Sequence, residues 1–251
     1  MLLTPRNHFN QNMERARALL AHASTLPNGP LGQDVLRGAW MMAVGACDAY
    51  FADAYADLIS RAIRAKELQT AIDIPDRLNN LRVPVTAILG PAQGGWRWRM
   101  AARQLMENEN VLSLEKVKGL FNHFFRKTHK LLNQDTIESW ITHPAGKIRL
   151  FGVTPGQYQA LPTAAAKTAA RKDAIERFET RYEEIFQRRH DCIHACDRPR
   201  VAVQDITAPQ VKKTIDDIDV LVAWCHDALV AEFPEYLRGL GFNGATRNQV
   251  C

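Results

Sequence analysis

Residues 33–66 read QDVLRGAWMMAVGACDAYFADAYADLISRAIRAK, and this stretch decides the fold. Leu36, Trp40, Val44, Cys47, Tyr50, Phe51, Ala54, Leu58 and Ile59 recur at three- and four-residue intervals and form an unusually wide apolar stripe. A helix with so broad a stripe has to lie at the centre of a helical core. Upstream, helical periodicity over about 7–24 stops at LPNGPLG (26–32), where two prolines and two glycines disfavour continuation. Downstream of Thr163, a third long helix rich in Ala, Lys, Arg and Glu carries Phe178, Tyr182, Ile185, Phe186 and Ile193 on its apolar side. A fourth helix starts near Thr207, with Pro209 in its first turn, and runs to about residue 233. Strand-like alternation is confined to residues 83–89, so the fold class is all-α.

The stretch over 70–160 has a different texture. Pro75, Pro84, Pro91, Pro144, Pro155 and Pro162 divide it, and GPAQGGWRW (90–98) reads as a loop. Shorter helices are predicted over 96–107, 113–126 and 134–142, with Ser113 and Lys116 at N-cap and N3 positions. The chain therefore divides into a helical core from 1–70 and 160–238, a basic and mostly helical insertion over 71–159 between core helices two and three, and a Gly- and Asn-containing flexible tail over 239–251.

Composition narrows the function classes. With 46% hydrophobic and 24% charged residues among 251, neither a disordered nor a fibrous chain is expected. No run of apolar residues is long enough to span a bilayer, and MLLTPRNHFNQNMERAR at the amino terminus has no h-region, so a cytoplasmic, non-membrane protein is expected. Five unevenly spread cysteines, an odd number, suit reduced thiols. The net charge of +5 is concentrated in residues 75–150, which hold twelve Lys and Arg against six Asp and Glu and would draw a polyanion, though a solvated basic face has the same composition.

Residues 188–197, RRHDCIHACD, place two guanidiniums, two imidazoles, two thiols and two carboxylates near the end of the third long helix. Core packing does not call for them. Arg is a planar permanent cation that grips phosphate, and His exchanges protons near neutral pH, so Arg189 and His194 suffice for phosphodiester cleavage with neither metal nor cofactor. His194 would take the proton from a ribose 2′-hydroxyl or return one to the leaving 5′-oxygen, while Arg189 balances charge on the non-bridging oxygens. That chemistry selects RNA as substrate and leaves a 2′,3′-cyclic phosphate. The plainer alternative is a helix C-terminus capped by cations. His190 with His194, and Cys192 with Cys196, are each four apart and could suit zinc, but the pairs point in different directions on a helix and no second cluster accompanies them.

RRHDCIH resembles the Arg-x4-6-His motif of the HEPN superfamily, whose four-helix bundle carries the motif near the end of its third core helix. GACDAYFADAY (45–55) resembles that superfamily's apolar-acidic-Ala-aromatic signature, which makes the RiboL-PSP type the nearest variant. The resemblance covers 7–66 and 163–233. It implies Arg189 and His194 as the catalytic pair, with His190, Asp48 and Arg188 in support, although both arginines satisfy the spacing and His190 stands where many members have Asn. It also implies a homodimer with a composite cleft, a role as a toxin or effector in prokaryotic antiviral or stress defence, and an inhibitory antitoxin or regulatory partner. Its rivals are a non-catalytic module that binds RNA or nucleotide and a helical protein-interaction adaptor. Trp96, Arg97, Trp98 and Arg99 interleave aromatics with cations and, with Arg126, Lys127 and Lys130, are candidate RNA contacts; as loop anchors and wet surface they would need no ligand.

Overall fold

The computed structural model describes residues 1–79, 98–99, 102–103, 106, 111–198 and 202–251, and every regular element among them is a helix. The strand expected over 83–89 and most of the helix expected over 96–107 lie outside the described residues. Four long helices dominate: α1 (Leu3–Ala23), α2 (Pro30–Leu68), α8 (Ala164–His194) and α9 (Ala208–Leu240). Helix α2 opens on Pro30, whose missing N–H is no loss in a first turn. Thr163 caps α8 by accepting from the Ala166 N–H, and Thr207 with Gln210 forms a reciprocal capping box at the start of α9.

The broad stripe of α2 puts it at the hub. Ala39, Ala43, Val44, Cys47, Phe51, Ala54, Leu58 and Ala62 are wholly buried, and α1, α8 and α9 each pack against this one helix. Small residues at many of these positions let the neighbouring backbones approach closely.

Between α2 and α8 the chain forms short pieces: α3 (Asp76–Asn79), α4 (Leu114–Phe121), 3-10 turns at Asn122–Phe124 and Lys127–His129, α5 (Gln134–Thr142), α6 (Ile148–Phe151) and α7 (Pro155–Gln159). Ser113 caps α4, accepting the Lys116 N–H at 3.0 Å. The segment contributes to the same core as the long helices. Trp140 of α5 and Phe151 of α6 fill the space between α8 and α9: Phe151 stacks on Phe178 at 5.6 Å and on Trp224 at 5.7 Å, and Trp140 meets the same two rings at 5.5 and 5.3 Å. Such pairs add to the large apolar area these rings bury.

The carboxyl end departs from expectation. Helix α9 continues past residue 233 through Pro234, despite the lost ladder hydrogen bond and the ring's crowding of the preceding turn, and stops at Gly241, where φ is +101°. Residues 239–251, expected to be a flexible tail, instead hold the end of α9 and, after a turn, helix α10 (Gly244–Val250). The polar composition that suggested a solvated tail supplies the cap: Asn243 accepts the Thr246 N–H at 2.8 Å, its own N–H donates to Gln69 Oε1 at 3.0 Å, and Val250 is buried. No helix among the described residues is long and apolar enough to cross a membrane.

Candidate active site

The motif occupies the last turns of α8, and the way that helix ends fixes where its side chains go. Both the Ala195 and the Asp197 N–H donate to the Asp191 carbonyl at 2.9 Å, and Cys196 and Asp197 take left-handed φ values of +47° and +58°. Two successive non-glycine residues in that region cost about 1–2 kcal/mol each. What holds them there is a buried ion cluster. Asp197 is fully buried and its Oδ2 accepts from Arg37 Nε at 2.6 Å and from Arg188 Nη2 at 2.8 Å, while the Gln204 carbonyl accepts from Arg37 at 2.7 Å. Arg188 also donates to the Asp205 carbonyl at 3.1 Å and lies over the Trp40 ring. This corrects the expectation of Arg188 as a supporting residue of the catalytic pair: it is mostly buried and tied to the turn after α8, and it faces away from the motif's groove.

That groove, of about 600 Å³, lies between α4 and α8 and is lined by Ser113, Glu115 and Lys118 on one wall and by Glu179, Glu183, Gln187, Arg189 and His190 on the other. Glu179, Glu183, Gln187, His190 and His194 form a stripe at three- and four-residue spacing along α8. His190 and His194 are both exposed, and their rings are in contact, with centroids 4.4 Å apart. Of the two candidate arginines, Arg189 is the one that lines the groove.

Asp48 of α2 stands behind Arg189. Its Oδ1 accepts the Val111 N–H at 2.9 Å. Burial raises its pKa from the ordinary carboxylate value, against the opposing pull of the Val111 hydrogen bond and of the Arg189 charge. A carboxylate so placed attracts the Arg189 charge and fixes the chain entering α4.

Sequence reasoning missed the groove's carboxylates. Glu115, Glu179 and Glu183 outnumber the permanent cations Lys118 and Arg189 there, and Lys118 is itself paired with Glu179 at 2.5 Å. The helical spacing back from His190 was the signal that could have found Glu179 and Glu183.

Of the remaining candidates, none of the described ones lines this groove. Trp96 and Arg97 lie outside the described residues. Trp98 donates from its indole N–H to Glu67 at 2.7 Å, and Arg99 is half-buried. Arg126 makes a two-pronged pair with Glu232 of α9, at 2.9 and 2.6 Å, shared with His129. The Lys130 ammonium is spent on the Asn122 and Phe125 carbonyls, and burial lowers its pKa. Lys127 is exposed. Among the thiols of the motif, Cys192 is pushed up to about 11 by burial and the nearby Asp197 carboxylate. Comparison with family models, with curated proteins and with solved structures returned no match to this chain.

Proposed function

We propose that this protein is a metal-independent endoribonuclease that cuts RNA by attack of the substrate's own 2′-hydroxyl. The observation that carries the reading is the contact between the exposed His190 and His194 rings at the end of one helix, with His190 and Arg189 lining the same groove. In-line transesterification needs a group to accept the 2′-hydroxyl proton, a group to protonate the leaving 5′-oxygen, and a cation for the phosphorane oxygens. His194 takes the first proton, His190 supplies the second, and Arg189 holds the phosphate. The new bond joins the 2′-oxygen to phosphorus as the bond to the 5′-oxygen breaks, leaving a 2′,3′-cyclic phosphate. Asp48 is a positioning residue that acts through Arg189.

Homodimerisation, a defence or toxin role and control by an inhibitory partner belong to this reading and rest on the resemblance of RRHDCIH and GACDAYFADAY to HEPN ribonucleases. The test is an RNA whose only cleaved linkage is rebuilt with a 2′-deoxy nucleotide. Survival of that linkage alone is the expected result, and its cleavage at the normal rate would refute 2′-hydroxyl attack.

One observation favours a second reading, a helical protein-interaction adaptor in which RRHDCIH is a charged helix end. The groove holds more carboxylates than permanent cations, an arrangement that repels a polyanion. Absence of any RNA interaction, in parent and Arg189→Ala proteins alike, is its expected signature.

A further inference from the structure

On the opposite face of α8 from the two imidazoles lies a cavity of about 340 Å³ lined by Trp40, Arg149, Arg181, Arg188, Gln210 and Lys213. Four of its six lining residues are permanent cations and none is a carboxylate. The arginines are held in place from behind. Asp217, fully buried in α9, accepts from Arg149 Nε at 2.8 Å and from Arg181 Nε at 3.0 Å. Asp197, also fully buried, is shared in the same way by Arg188 and Arg37. One carboxylate cannot neutralise two guanidiniums, and the other acids ion-paired with these arginines among the described residues, Glu184 at 3.6 Å from Arg181 and Asp34 on Arg37, are mostly exposed to water. Arg188 also keeps a buried Nε–H with no acceptor. The Lys213 side chain is exposed at the cavity, and Gln210 brings the first turn of α9, with its positive dipole end, to the rim.

We propose that this cavity binds the dianionic phosphate group of a small molecule, with inorganic phosphate as the minimal ligand. Planar guanidiniums pre-oriented by buried carboxylates match phosphate oxygens without the side-chain ordering that a free arginine would undergo on binding. The volume sits at the small end of the range for ligand pockets, which suits a phosphate with a modest organic group rather than a polymer groove. The site shares no functional residue with the imidazole face and does not depend on the ribonuclease reading.

The experiment is calorimetric titration of the full chain with inorganic phosphate and, separately, with AMP, at constant ionic strength. Lys213→Glu reverses an exposed charge at the cavity and is not expected to perturb folding. Lys212→Glu makes the same change at an exposed neighbour that pairs with Asp216 and does not line the cavity. Saturable binding by the parent and by Lys212→Glu, weakened about tenfold in Lys213→Glu, is expected. Tighter binding of AMP than of phosphate would assign an organic phosphate, and equal affinity the free anion. Absence of saturable binding of either probe, or equal binding by Lys213→Glu and the parent, would overturn the proposal.

Discussion

Replacing Asp197 by Asn isolates the charge at the centre of the motif's anchor. Oδ2 accepts both arginine hydrogen bonds, at 2.6 and 2.8 Å, whereas Oδ1 is buried and accepts none. An Asn amide can therefore occupy the Oδ1 position and keep both bonds, and Asn tolerates the φ of +58° better than most residues. What disappears is the counter-charge for two buried or mostly buried guanidiniums, leaving only the exposed Asp34 against Arg37. Breaking a buried pair from one side costs about 3–5 kcal/mol, and the retained hydrogen bonds put Asp197→Asn near 3 kcal/mol. Asp197→Ala loses the bonds and the φ tolerance too, which adds roughly 1–2 kcal/mol. For a chain of this size a 3 kcal/mol loss lowers Tm by about 6–12 °C. Urea and thermal unfolding followed by circular dichroism measure both variants. An Asp197→Asn protein within about 0.5 kcal/mol of the parent would refute the reasoning and class the cluster with ordinary surface pairs.

Trp140→Ala should cost about 3–5 kcal/mol, because it opens a cavity against Phe178 and Trp224 in the packed core; urea unfolding at the level of a surface substitution would contradict that. His226, half-buried with Nδ1 3.1 Å from the Tyr50 hydroxyl, has its pKa lowered by burial and by Arg6. The unfolded chain therefore binds the proton more tightly. The resulting stability is fully present above the ordinary histidine value of about 6.5 and is lost as pH falls through the folded-state pKa. His226→Gln should flatten the fall in stability over that window, and an unchanged slope would remove His226 as its source. Asp48→Asn keeps an acceptor for the Val111 N–H while removing the charge behind Arg189. In an active enzyme it should lower kcat on RNA with little loss of Tm, whereas parental kinetics would exclude a positioning role.

The long helices were legible because their apolar spacing and their caps agree. Thr163, Thr207 and Ser113 each begin a helix at the position their side chains favour, and the stripe of α2 announced its central place. The end of α9 and the tail were not legible, since Pro234 and the polar run after Gly241 carry the usual marks of helix termination, and the Gln69 contact that pins Asn243 is 174 residues distant in sequence. At the site, neighbouring residues took opposite roles. Arg188 and Arg189 are indistinguishable in composition, and only the fold, by bringing Arg37 and the Asp197 turn beside one of them, separates anchor from groove. Arg126 and Lys130 resembled a basic face in sequence because Glu232 and the carbonyls that engage them come from elsewhere in the fold or from turns without a pattern.

The most direct test of the central claim is incubation of purified parent, Arg189→Ala and His194→Ala proteins with end-labelled RNA in EDTA, with analysis of the product termini. The account predicts cleavage by the parent that leaves 2′,3′-cyclic phosphate ends and is lost in both variants. Intact RNA in every lane, or equal cleavage by parent and variants, would contradict it.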